Sequence, residues 1–508
     1  MKTILKSGLT LLLALTMLIP VLASCNGNKT PANTPTGTNG NSGNGVTTNE
    51  PTTNGGEEEE VEVLPDTTYG NRDINILIRK TDTYYRDMEI DEEEINQGKA
   101  NQVDEQVYYR NRAVEKRLGV NLNFKKDDAS DETLSAENVR NAIQDGKIDL
   151  IADHGRSAFT YAVEGSLKNW YDLKYVDLTK SWWSQGMVSD FTIRDSLWCM
   201  SGDLSYLNTG ATVVMVMNKN LHSQLNLDDP YEAVLNETWT FEMFNEMVKE
   251  AGSDNGTAES DPEKGDQTGY MTSRWRGPMT ALFSAGLRTV KVGEDGNLQM
   301  TVYSNKTILL FKDYFDLLGQ KNVKYYSSGK PANFEQTFAN GNVLFIDTRL
   351  YDVNKIIQNE FMDYGILPWP KYDEDADEYY AWVDACANTF GVLTGKSEED
   401  YECISAVLEA LAAEGHRRVI PAFYEDTVQA KYAQDPESYE ALELIRAGRV
   451  YDLGTFMATD LGDLSMVGPK VSDTSNRSFS EWWEKNKTGL QGKVDKLNEK
   501  LGKITGTK

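Results

Sequence analysis

Apolar and polar residues alternate through Ile74, Ile76 and Ile78, which predicts a strand with one face on a core. Val103, Val107, Val114 and Leu118 then recur at helical spacing, and Gly119 supplies the stop. Alternation returns at Val120, Leu122 and Phe124. A second helical set follows, Leu134, Val139, Ala142 and Ile143, and ends at Gly146. The run from Ile148 to Ala152 reads as a third strand. Strand–helix–strand–helix–strand at these lengths predicts a parallel sheet with right-handed crossovers. Ligands of such sheets sit beyond the carboxyl ends of the strands. The segments so placed are 80–84, with Asp82 and Tyr84, and 153–156, with Asp153, His154 and Arg156. These five are candidate cleft residues. For Asp153 and Arg156, a local ion pair that closes the loop is the alternative.

A second α/β unit follows. The unbroken apolar run from Ala211 to Met217 reads as a strand buried on both faces. Lying between two α/β units, it is expected to cross from one lobe to another, with Asp203 beside the crossing as a candidate acceptor for a polyol hydroxyl. Thr240 is placed to cap a helix over 241–249, and Ile308, Phe311, Phe315 and Leu318 mark the inner face of a helix over 306–318. A strand ending at Ile346 delivers Arg349 to its exit. The segment 364–371, with prolines on either side of Trp369, reads as an extended return crossing. Helices are expected at 399–413, 436–447 and 479–501, the last opening on Trp482 and Trp483.

An aromatic beside a charged group recurs along the chain: Asp82 with Tyr84, Arg274 with Trp275, Trp382 with Asp384. Aromatic faces meet the C–H faces of sugar rings, while carboxylates and guanidinium groups take the rim hydroxyls. A peptide or a polyamine would suit the same mixture. Trp275 and Trp382 are therefore candidate stacking platforms, a surface stem for the flanking arginines being the alternative for Trp275, and Arg349 and Asp384 are candidate polar contacts.

Charge and composition narrow the classes. The chain has 508 residues, enough for more than one core, and a formal net charge of −28. No Lys/Arg cluster offers a phosphate-binding face, so nucleic acid is not expected as a partner. No nucleophile elbow, phosphate-cradling glycine loop, zinc motif or Ser-His-Asp arrangement is present, and neither catalytic residues nor a cofactor are assigned. Four cysteines occur, Cys25, Cys199, Cys386 and Cys403. Buried thiols are expected for the last three, a Cys199–Cys386 disulfide being the alternative.

Residues 1–25 carry a positive end at Lys2 and Lys6, an apolar core and the sequence Leu22-Ala23-Ser24-Cys25. That ending resembles a bacterial lipobox, which implies cleavage before Cys25, lipidation of its thiol and residence at the outer face of the cell membrane. Residues 26–65 are rich in Asn, Gly, Thr, Pro and Glu, and read as a disordered tether spanning roughly 35 Å on average.

The pattern GDLSYL, VVMVMNKNL and DDPYEAVLNETWTF over 202–241, with FANGNVLFIDTRLYD and YGILPWPK further on, resembles family 1 extracellular solute-binding proteins of the maltose-binding type. These are the ligand-capturing subunits of ABC importers. The resemblance implies an α/β, type II periplasmic-binding-protein-like fold. Its two lobes, joined by hinge crossings, would comprise 71–211 with 369–420 and 218–366 with 421–508. It implies a monomeric, non-enzymatic binder of a small solute, an oligosaccharide above all, with a membrane permease as partner. A secreted glycoside hydrolase and a carbohydrate-binding adhesin are the alternatives. Members of the family carry a calcium loop near residue 254. Here Gly256 and Ala258 stand at ligand positions, so no metal is expected.

Overall fold

The computed structural model describes residues 60–129, 132–252, 260–357, 362–374, 376–425 and 436–506. The expected signal segment with Cys25, most of the tether and the loop positions Asp254, Gly256 and Ala258 lie outside the described residues. Among the described residues, no helix is long and apolar enough to cross a membrane.

The first sheet is built from local signals. Strand β1 (Arg72–Arg79) pairs in parallel with β2 (Val120–Asp127) and with β3 (Leu150–His154), so that Ile76 lies opposite Phe124 on one side and Leu150 on the other. The alternating Ile74, Ile76 and Ile78 are fully buried. The helix Gln102–Leu118 begins at a reciprocal cap, in which Asn101 and Asp104 each accept the other's backbone N–H. It ends at Gly119, and the helix Ala136–Asp145 ends at Gly146. Both glycines have left-handed φ, 62° and 65°, which a side chain would strain.

The second sheet is mixed. Strand β4 (Val213–Asn218) is buried along its whole length. Strand β5 (Thr268–Ser273) lies further on, and β6 (Val290–Val292) with β7 (Leu298–Met300) forms a separate hairpin. Strands β8 (Val323–Tyr326) and β9 (Val343–Arg349) flank β5 in parallel. Strand β10 (Tyr364–Leu367) closes the edge, giving the order β10-β4-β9-β5-β8 with β4 antiparallel to both neighbours. Its core is aromatic: Trp239, Phe244, Tyr270, Phe345 and Trp369 form a connected set with ring centroids 5.2–6.2 Å apart.

The two runs expected to cross between lobes, 211–217 and 364–371, therefore contribute paired strands of one sheet. The chain passes between sheets slightly outside them. Thr212 bridges Val383, and the Asp384 N–H donates to the Ala211 carbonyl at 3.1 Å. Strand β11 (Ala381–Trp382) runs parallel to β13 (Arg449–Val450), which adds a third segment at the same level. Between these, β12 (Asn388–Val392) returns to the first sheet and pairs antiparallel with β3, giving the order β12-β3-β1-β2. The helix Phe479–Ile504 packs on helix Gly155–Val163 beside the first sheet and on helix Asn305–Leu318 beside the second. Cys199, Cys386 and Cys403 are free, buried thiols.

Candidate functional site

Three strand exits and one passing segment converge. At the exit of β1, Arg79 is fully buried. It donates to the Cys386 carbonyl at 2.8 Å, to Asn388 Oδ1 at 2.7 Å and to the Glu132 carbonyl at 3.2 Å. Its guanidinium stands 3.5 Å above the ring of Tyr84, which lies two residues into the short helix Asp82–Arg86. Burial and the nearby Cys386 push the Tyr84 hydroxyl well above its ordinary range, so it remains a neutral donor.

At the exit of β3, Asp153 accepts from the backbone N–H groups of Leu134 and His154 at 2.8 and 2.7 Å. Burial pushes this carboxyl up to about 7. His154 Nδ1 accepts from the Arg156 N–H at 3.2 Å and caps helix Gly155–Val163. An accepting Nδ1 leaves the proton on Nε2, which can donate. Gly155 is required at the first helical position, because a Cβ there would lie 2.4 Å from the Phe456 ring.

At the exit of β9, Arg349 Nε donates to Asp352 at 3.0 Å, and Nη1 reaches Cys386 Sγ at 3.1 Å and Asp384 at 3.5 Å. The guanidinium lies 4.5 Å over the Tyr351 ring. Asp384 also accepts from the Cys386 N–H at 3.2 Å, which fixes it on the passing segment. The side chains of Arg349 and Asp384 keep 16% and 26% of their surface exposed, so this pair forms the open rim of the cluster. Burial and Asp384 push the Cys386 thiol up to about 12, which keeps it protonated and unreactive.

Tyr84, His154, Arg349 and Asp384 are thus brought together. The structure adds Arg79, Tyr351 and Cys386, which were not singled out as contacts. Tyr351 carried the same signal as the others, an aromatic two residues from a charged group at a strand exit. The remaining candidates lie elsewhere or serve other contacts. Asp82 opens its helix. Arg156 pairs with Asp463 at 2.5 Å rather than with Asp153. Asp203 accepts from His416 Nδ1 at 2.7 Å, away from the cluster. Trp275 is 48% exposed beneath the Arg274 guanidinium, at 4.5 Å, and that arginine pairs with Asp473. Trp382 is buried, its ring centroid 5.5 Å from that of Phe283, and it serves the core. Among the described residues, no group of three His, Cys, Asp or Glu side chains is placed to hold a metal ion.

The cluster has a pH signature. Burial first, and then the charges of Arg79, Arg156 and Arg349, push the His154 imidazole from its ordinary 6.5 down to about 3. Below pH 6.5 the unfolded chain takes up a proton that the folded chain refuses. Stability is therefore unaffected by this ring above 6.5 and is lost as pH falls toward 3. His154→Asn keeps a capping acceptor and removes the titration. Between pH 7 and 5 the wild type is expected to lose about 1 kcal/mol more than this variant in urea unfolding, solvent screening part of the full shift. Equal pH slopes for the two proteins would refute a neutral buried ring.

No family model and no curated protein matches the sequence. Solved structures do match. The maltose-maltodextrin binding protein of Alicyclobacillus acidocaldarius aligns with a TM-score of 0.51 at 10% identity, covering 84% of this chain and 100% of the other. UgpB from Mycobacterium tuberculosis, solved in complex with glycerophosphocholine, aligns at 0.53 and 14% identity over 77% and 96%. The fold is that of the two-lobed solute-binding proteins. The GacH receptor of Streptomyces glaucescens, solved unliganded and with acarbose, shares it with a TM-score of 0.50 at 12% identity, over 86% of this chain and 100% of that one. In this solute-binding-protein fold, the described cluster occupies the level at which the first and second sheets present their strand exits to each other.

Proposed function

We propose that this chain captures a small saccharide between two lobes, one on each sheet, and presents it to an ABC-type permease. It would be held at the outer face of the cell membrane by a lipid on Cys25. The observation that carries the reading is the meeting of Tyr84 and His154 from the first sheet with Arg349 and Tyr351 from the second, in a fold shared with saccharide-binding proteins. Arg349 and Asp384 would take ring hydroxyls, and the tyrosines would cover the apolar ring faces. The segments 211–212, 381–384 and 449–451 are narrow enough to act as a hinge, and binding energy spent on closure would be what a permease distinguishes.

Titrating the intact protein with a panel of di- and trisaccharides tests this. A ligand at a hundredfold its Kd stabilises the folded state by about 2.7 kcal/mol, which a thermal-unfolding midpoint registers. The scattering radius should fall on binding and the saccharide should be recovered intact. Asp384→Asn keeps the acceptor for the Cys386 N–H and is expected to weaken binding at least tenfold. A cleaved saccharide would indicate a hydrolase, and binding without a change in radius would indicate a static adhesin.

A further inference from the structure

Arg79 is fully buried, and among the described residues it makes no ion pair. Its partners are two carbonyls and an amide oxygen, all neutral, and its ring contact is Tyr84. The carboxyl groups nearest to it, Asp153 and Asp87, favour its charge through space but make no direct ion pair with it. Asp153 is held by backbone N–H groups, and Asp87 by Ser205 and Asn388. A buried guanidinium with no direct ion pair has its charge only partly compensated, and such a charge is costly unless something neutralises it. Around it stand Arg349 and Arg156, with exposed side-chain fractions of 16% and 44%. Asp384 offsets the first together with the buried Asp352, and Asp463 offsets the second. The donor that remains beside them is the Nε2–H of His154, since the N–H groups of Gly155 and Arg156 are already taken by the Ala385 carbonyl and by His154 Nδ1.

From this juxtaposition of a buried guanidinium lacking a direct ion pair, a half-open arginine and a donating imidazole, we infer that the captured solute is an acidic saccharide. Its anionic group, a uronate carboxylate or a sulfate or phosphate ester, seats between Arg349 and His154. The inference rests on the saccharide-binding reading above. It runs against the overall charge of −28, which would repel an anion at long range. At physiological salt, charges beyond about 8 Å are screened, so the donors at the site decide binding at contact. The low-lying imidazole of His154 owes most to burial, with Arg79, Arg156 and Arg349 pressing it down and Asp384 opposing them.

Isothermal titration of the intact protein with digalacturonate and with galactobiose, its neutral counterpart, tests the charge alone. The acidic disaccharide is expected to bind at least tenfold tighter, and the ratio should shrink between 0.05 and 0.3 M NaCl. Galactose 6-phosphate and galactose 6-sulfate distinguish an ester from a carboxylate, and preference for either still supports an anionic site. Equal affinity for digalacturonate and galactobiose, or binding of neutral saccharides alone, overturns the acidic assignment and leaves saccharide capture standing. Inorganic phosphate binding as tightly as any saccharide also overturns it, because the sugar would then contribute nothing. Failure of every saccharide removes both readings.

Discussion

Asp352→Asn is expected to lower global stability by about 3–5 kcal/mol, the loss typical of removing one partner from a buried ion cluster. Asp352 is fully buried behind the rim arginine. One carboxylate oxygen takes Arg349 Nε at 3.0 Å and Lys330 Nζ at 3.3 Å and lies 3.6 Å from Arg276 Nη2, while the other takes Lys355 Nζ at 2.6 Å. Without it, the four cations are left to Glu335, which reaches Lys330 at 2.5 Å and Thr348 at 2.7 Å, to Asp347 near Arg276 and to the half-open Asp384 on Arg349. Each contact near 3 Å is worth about 5 kcal/mol of attraction at an effective dielectric of about 20, and the desolvation of the charges offsets much of it. Burial alone would raise this carboxyl, but Arg349, Lys330, Arg276 and Lys355 together hold it well below the usual range. Its contribution is therefore intact above pH 4 and is lost only on further acidification, so the deficit of the variant should be constant between pH 5 and 8. Urea unfolding at pH 5.5 and 7.5 checks this. A deficit below 1 kcal/mol would mean that water already reaches the cluster. Solute affinity should fall as well, since Arg349 loses the acceptor that aims its guanidinium.

The first sheet was legible because its signals are local. The alternation at Ile74, Ile76 and Ile78, the helical repeat from Val103 to Leu118 and the left-handed Gly119 each act within a few residues. What the sequence did not carry is pairing across long separations. The apolar run at Val213–Asn218 announced burial on both faces, but not that its neighbours would be β9 and β10. It was read as a ribbon between lobes, whereas the passage occupies the less conspicuous Ala211-Thr212 and Val383-Asp384. Strand β12 joins the first sheet from the far end of the chain, and nothing near Asn388 specifies β3 as its partner.

The site divides along the same line. Strand-exit logic reached Tyr84, His154 and Arg349, because where a strand ends is a local property and what lies beyond it follows from topology, while Asp384 came from its place beside Trp382. Aromatic-beside-charge reasoning was weaker. Trp382 and Trp275 share that signature, yet one fills the core against Phe283 and the other lies on the surface under Arg274. Burial separates them, and burial depends on elements distant in sequence. The pairings that took Asp203 and Arg156 away from the cluster join residues 213 and 307 positions apart. Arg79 was not reached at all, since it ends an alternating strand and nothing local marks its burial.

Glu409→Ala is expected to cost about 3–5 kcal/mol, and here the sequence offered only an apolar helix face. Glu409 is fully buried in helix Glu398–Glu414. Its carboxylate accepts from Trp182 Nε1 at 3.2 Å, Trp183 Nε1 at 3.0 Å and the Asp177 N–H at 3.2 Å, tying the tryptophan pair to that helix. Alanine would leave three buried donors without an acceptor, as well as a cavity beside the edge-on contact of Trp170 and Trp183. Burial pushes the carboxyl from its ordinary 4.5 up to about 7. Between those values the folded chain holds a proton that the unfolded chain has released. Stability from this group is greatest below pH 4.5 and is withdrawn as pH rises toward 7, by about 3 kcal/mol for the full shift. Glu409→Gln does not titrate. The advantage of the wild type over that variant should therefore be larger at pH 5 than at pH 7.5, and Asp153 and His154, present in both proteins, cancel from the comparison. Tryptophan fluorescence during urea unfolding reads the difference directly, and an advantage equal at the two pH values would mean that the indole donors keep Glu409 ionised throughout.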